Sequence, residues 1–252
     1  QTDTSKYVTD VRNSAIGAIG DSMAGGFDEN NDVLNQLIIQ LFPQTATGIF
    51  LERWASFFGI TRNSGFQAIG NVVFTGTAAT SIPSATLVQK ADNTQYATTA
   101  LGTISTQSIS VANITRSGTV ATVTTSSNHN LGTGVTVTIS GAVETDYNIS
   151  VLITVTGATT FTYTVAGSPT TPATGTILAA FTTALVPIQA STFDNAGNAI
   201  AGTQLALVSP LSNVDNTCYV DYAGLVGGLN VETDEALRIR LQERTANFTA
   251  PF

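Results

Sequence analysis

The sequence predicts an α+β fold, mainly β: a helical N-terminal arm, a β body interrupted by an inserted all-β sandwich or barrel-like domain, and an outgoing helix. Three observations predict it. Apolar residues recur at helical spacing over the first sixty-odd positions, short β-branched runs between Gly, Pro and Asn turns fill the middle, and a capped helical stretch closes the chain.

The arm is assigned to residues 1–65. Thr4 to Met23 reads as a first helix, weakened by Gly17 and Gly20. Asn31-Asp32 is placed as the N-cap of a second, whose stripe Val33, Leu34, Leu37, Ile38 and Leu41 is ended by Pro43. Thr45 or Thr47 caps a third, with Ile49, Phe50, Trp54, Phe57 and Phe58 at core spacing and Gly59 as its stop.

The β body is assigned to 66–108 and 179–226. Its strand signals are Asn71–Thr75, Ala85–Gln89, Gln95–Thr99, Leu185–Ile188 and Gln204–Val208. Between its halves, residues 109–178 alternate apolar side chains with threonine in Val120–Thr124, Val135–Ile139, Val151–Val155 and Phe161–Val165. Alternation buries one face and leaves the other to a residue that favours strands and still bonds water. Residues 227–252 are assigned to a Gly-Gly joint and the start of a C-terminal helical region. Gly224 to Gly228 is the flexible joint, and Thr233 caps a helix with Asp234 and Glu235 in its first turn and Arg244 in its last.

Composition excludes several functions. Charged residues are 10% of the chain, against about a quarter in an average soluble domain. One Cys makes neither an internal disulfide nor a cysteine zinc site, and one His makes no multi-histidine centre. A net charge of −8 without a basic cluster argues against nucleic acid. The longest apolar stretch, Ile177 to Ile188, is too short to span a membrane. The opening residues lack a secretion signal. The chain opens on Gln1 and stops soon after its last helix begins, so it reads as a processed or partial product.

The titratable residues read as structural rather than catalytic. His129, in Asn128-His129-Asn130-Leu131, reads as a turn or loop-edge histidine bonding backbone. Glu144 and Asp146 are spaced as solvated loop acids rather than a glycosidase pair. Glu232, Asp234 and Glu235 do not follow a calcium-loop spacing, and Cys218 reads as a buried free thiol. No catalytic, cofactor-binding or metal-ligating set emerges, and the expectation is a chain that is not an enzyme.

Three stretches resemble the phage baseplate J-like family, the wedge proteins of contractile tails. The first is Pro43 to Arg62, through Leu51-Glu52-Arg53-Trp54-Ala55, Phe58-Gly59-Ile60 and Arg62. The second runs from Ala68 to Thr77 and on through Ile82-Pro83, Thr86 and Tyr96, with Ala85 where a glycine is common. The third and most specific is Gly227-Gly228-Leu229-Asn230-Val231-Glu232-Thr233-Asp234-Glu235-Ala236-Leu237-Arg238-Ile239-Arg240-Leu241, with Asn230 replacing a usual aspartate. The resemblance covers roughly 43–100 and 180–245. Residues 109–178 interrupt it and resemble small β modules of phage tail proteins.

The resemblance implies a structural wedge subunit of a virion's tail baseplate, made in the host cytoplasm. Such a subunit assembles around the tail hub and takes part in rearrangement on contraction. It implies partners that are other copies of the chain and other wedge or hub proteins, with no nucleic acid, no membrane insertion and no cofactor. Leu51, Trp54, Phe57, Phe58, Leu237, Arg238, Arg240 and Leu241 are the expected assembly and packing residues, and Gly227 and Gly228 the expected hinge. A related contractile injection machine is an alternative setting. A second alternative is host-surface carbohydrate binding through 109–178, with Tyr147, Phe161 and Tyr163 as the aromatic side chains on offer.

Overall fold

The computed structural model describes the backbone of residues 15–248 and the side chains of residues 18–246. The fold is mainly β, built on a large antiparallel sheet with three helices toward the two ends of the described chain. The helices are α1 (Ala15–Gln40), α2 (Gly48–Phe57) and α3 (Asp234–Phe248). Two compact units result: residues up to Asn63 with those from Glu232 on, and Ser64–Val231.

In the helical unit, α1 is one continuous helix where two were expected. It runs through Gly20, Gly25, Gly26 and the Asn31-Asp32 pair. Asn and Asp favour caps, but inside an exposed helix each costs at most about 0.7 kcal/mol relative to alanine, so the local signal does not force a break. The expected helix over Thr4 to Met23 lies outside the described residues before Ala15. Helix α2 begins after Thr47 and ends at Phe58, with Gly59 at φ +73° closing the turn.

The β unit carries fourteen strands. The first five are β1 (Ile69–Gly76), β2 (Ser81–Ile82), β3 (Leu87–Gln89), β4 (Gln95–Thr98) and β5 (Gly102–Thr103). Then come β6 (Ser105–Ser117), β7 (Val120–Thr125), β8 (Thr136–Ala142), β9 (Ser150–Leu152), β10 (Thr154–Val155) and β11 (Thr160–Thr164). The last are β12 (Gly175–Ala190), β13 (Gln204–Leu207) and β14 (Val214–Val226). Pairing runs β1–β14–β13–β3–β4–β12 and returns from β12 to β1, closing six strands into a ring. Its interior holds Val72, Phe74, Val88, Tyr96, Val186 and Leu205.

The strand β12 is twice used. Its C-terminal half pairs with β1, from Thr183↔Thr75 to Gln189↔Ile69. Its N-terminal half pairs with β6 and β8 and leads to a second core, around Val123, Val137, Tyr147, Phe161 and Tyr163. Ile109↔Ala179 and Ser110↔Leu178 stand opposite one another in the β6–β12 ladder. Val73 points from β1 into this second core while Val72 and Phe74 face the first, so β1 is buried on both faces.

Backbone geometry bears on Ala85, the position in the second stretch where the family that the chain resembles commonly has glycine. Ala85 sits at φ +63°, the left-handed region where a Cβ is strained and glycine is not. The expected flexible stretch Gly224–Gly228 begins inside β14, where Leu225 bridges Ala199 through two backbone bonds. No helix of the described residues is long and apolar enough to cross a membrane.

Candidate functional site

The residues expected to serve packing converge in the helical unit. Leu51 and Ala55 lie one turn apart on α2, and Leu237 and Leu241 one turn apart on α3. Together with Ala46 these four form a buried cluster, edged by half-buried Phe50, Trp54 and Phe58. Phe57 points the other way and is 81% exposed. The aromatics are thus split between an internal seam and an open face, although the sequence read them as one core stripe.

Polar side chains clasp the same pair of helices. Arg62 is 16% exposed and uses three of its nitrogens. Nε donates to Glu52 Oε1 at 2.7 Å, Nη1 to the Glu232 carbonyl at 2.6 Å and Nη2 to Asp234 Oδ1 at 2.6 Å. The other oxygen of Asp234 accepts from the Gly48 N–H at 2.8 Å. That bond caps α2, whose own N-cap residue Thr47 makes no side-chain capping bond. Thr233 Oγ1 in turn accepts from the Ala236 N–H and caps α3.

Arg240 donates to Glu232 Oε2 at 2.6 Å, and the Asn63 N–H donates to the same oxygen at 2.9 Å. Arg238 pairs with Glu235 and donates from Nη2 to the Ala46 carbonyl at 2.9 Å, while its buried Nε has no partner. The electrostatics follow. The Gly48 N–H and then the Arg62 guanidinium hold the Asp234 carboxyl below the usual range. Burial alone would raise Glu232, but the bonds from Arg240 and Asn63 together with both guanidinium charges bring it down.

Each of Glu232, Asp234 and Glu235 is therefore engaged by an arginine, and no cluster suited to a metal ion occurs among the described residues. Arg238 and Arg240 are used within the chain. Glu52 and Arg62 were not foreseen as site residues. The available signal was that scarce charges gather at 52–62 and 232–240, but nothing local says that they meet.

The remaining candidates lie in the β unit. Gly227 has φ +90° with open space around it, whereas Gly228 is held at both polar atoms by the Asn198 side chain, at 2.8 and 2.9 Å. A Cβ on Gly228 would lie 2.4 Å from the Asp194 carbonyl oxygen. Asn230 accepts the Asn195 N–H through Oδ1 at 2.9 Å, a role an aspartate oxygen fills equally.

His129 is buried. Its Nδ1 accepts from the Leu131 N–H and its Nε2 therefore carries the proton to the Gly157 carbonyl, both at 3.0 Å. Burial lowers its pKa, and its ring sits edge-on to Phe161. Glu144 accepts the Thr174 N–H and hydroxyl, which lower its pKa. Cys218 is buried, with its thiol pushed up to about 12 by desolvation. None of these groups faces another in a nucleophile–base arrangement.

No protein-family model matches the chain, and no curated protein matches it.

Proposed function

We propose that the chain is a structural wedge subunit of a contractile-tail baseplate, the role that its resemblance to the baseplate J-like family implies. One observation carries the reading. The first and third stretches quoted for the resemblance lie about 170 residues apart and meet in the Arg62–Asp234–Glu232 clasp. Residues shared for catalysis would converge on a reaction centre, whereas these converge on joining helices, as suits an assembly part.

Residues 109–178 are read as an inserted β domain. The pairing of Ile109 with Ala179 sets the two ends of that segment side by side, as a two-stranded stem requires. Its aromatic side chains, Tyr147, Phe161, Tyr163 and His129, are all buried, so they offer no stacking platform for a sugar. The assembly role is therefore the reading carried forward.

The test is electron microscopy of the particle that carries this chain, with the subunit located by density or by antibody label. Density in the tail-tip complex is the expected result. Finding the chain in the capsid, the tail tube or outside the particle overturns the proposal.

A further inference from the structure

Helix α1 has no buried side chain among its described residues. At 100° per residue, Ile19, Met23, Phe27, Leu34 and Leu37 fall, with Val33, in one stripe roughly 120° wide, and Leu41 extends it just past the end of the helix. These side chains are 48–65% exposed. The helix also passes through Gly20, Gly25 and Gly26, each less favourable than alanine by about 1 kcal/mol, and most helical stability in proteins comes from packing an amphipathic face. A helix of this composition needs a covering surface, and the stripe is wider than a two-stranded coiled-coil seam requires.

The stripe continues into a groove. Val33, Leu37 and Phe50 floor a cavity of about 370 Å³ whose rim carries Glu29 and Asp32. Phe50 is shared with a second, of about 260 Å³, lined by Leu41, Trp54 and Phe57. The half-exposed faces of the seven stripe residues and Phe57 amount to on the order of 800 Å² of apolar surface, about one side of a standard interface.

Charge selects the occupant. Asp21, Asp28, Glu29 and Asp32 give α1 four negative charges, and the helix has no Lys or Arg. A second copy laid along it would bring the same charges, and like-charge juxtaposition disfavours that pairing. Arg53 lines the groove at its other end and lies over the Phe50 ring. We infer that the apolar face of α1, continued onto α2, docks an amphipathic helix of a different protein whose apolar stripe is flanked by Lys or Arg. Their long stems cover the rim while their charged heads reach Glu29 and Asp32. This deepens the proposed assembly role, on which it rests for the existence of a partner.

Trp54 lines the groove and is the chain's only tryptophan, so its emission reports occupancy directly. The full chain is titrated with a synthetic helical peptide bearing a leucine stripe and lysine flanks, and with the same stripe flanked by glutamate. The lysine peptide should shift Trp54 emission to the blue and saturate, and the glutamate peptide should not bind. Glu29→Gln with Asp32→Asn should weaken the lysine peptide roughly threefold to tenfold, the sum of two rim ion pairs. Leu37→Asp should abolish binding. Helical content by circular dichroism should persist in both variants, because the replaced side chains pack on nothing buried. Equal binding of both peptides, indifference to either variant, or no binding overturns the inference. So does sedimentation showing a dimer that Leu37→Asp dissociates, which would assign the face to a second copy. Each of these outcomes leaves the particle location, and hence the wedge reading, separately decided.

Discussion

Replacing Asp234 with alanine isolates what the clasp contributes, because one carboxylate serves three functions. Its Oδ2 accepts the Gly48 N–H at 2.8 Å and so caps α2, a bond whose loss costs about 1 kcal/mol. Its Oδ1 takes Arg62 Nη2 at 2.6 Å, but the side chain is 35% exposed, so screening leaves about 0.5 kcal/mol for the pair. Its charge in the first turn of α3 adds about 0.5 kcal/mol against the helix dipole. Arg62 keeps Glu52 and the Glu232 carbonyl, so no buried cation is stranded. The sum is about 2 kcal/mol, or roughly 10 °C in the melting of a unit this small. Hydrogen exchange followed by mass spectrometry should show residues 48–57 losing protection together with 234–248. Asp234→Asn, which keeps an acceptor for Gly48, should lose about half as much. The sign with pH is fixed: a carboxyl held below its unfolded value stabilises above about pH 4 and loses that contribution as pH falls through its folded pKa. The gap between wild type and Asp234→Ala should therefore close in acid. Unchanged exchange over 48–57 in the alanine variant would refute the reasoning.

Ala85→Gly should raise stability by about 0.5–1 kcal/mol in urea unfolding, because relief of the left-handed strain exceeds the added freedom of the unfolded chain; a loss would show that the Ala85 methyl does more than strain its turn. His129 is neutral when folded and its pKa is lowered, so the unfolded chain takes up a proton first as pH falls below about 6.5. The stability of the β unit should therefore decline from pH 7 toward pH 5, and His129→Gln should flatten that slope; an equal slope in both proteins would assign the titration elsewhere.

The legible parts of the fold are those whose signals are local. Thr233 and the acids after it announce α3, and the apolar–threonine alternation announces β7, β8 and β11. Long-range partners were not legible. The strand signal at Leu185–Ile188 covers only part of β12, because continuation through Gly175–Ala184 depends on ladders with β6 and β8. Val73 is buried by a second core that alternation within β1 cannot reveal. In the site, helical spacing pointed to Leu51, Leu237 and Leu241, but not to the outward direction of Phe57 or to the cap that α2 receives from Asp234. A capping bond 186 residues away in the chain leaves no trace in a window of local sequence.

The scarcity of charge takes on a different meaning once its placement is known. Read from the sequence, charges gathered in the helical ends suggest contacts between subunits. Arg62, Arg238 and Arg240 instead bind Glu52, Glu232, Asp234 and Glu235 of the same chain, and they tie the start of α3 to Glu52 on α2 and to the Ala46 and Thr61 carbonyls that flank that helix. Ion pairs of this kind, partly shielded and multiply bonded, are suited to fixing the register of two short helices that share only a five-residue core. What the helical unit leaves uncovered is the opposite chemistry. The stripe of α1 and the outward ring of Phe57 are apolar, and α1 carries no Lys or Arg beside Glu29 and Asp32. In this chain, charge joins α2 to α3 while the apolar stripe of α1 stays exposed. On the inference drawn above, a partner that covers the stripe would supply α1 with the buried packing that the clasped pair α2–α3 already has.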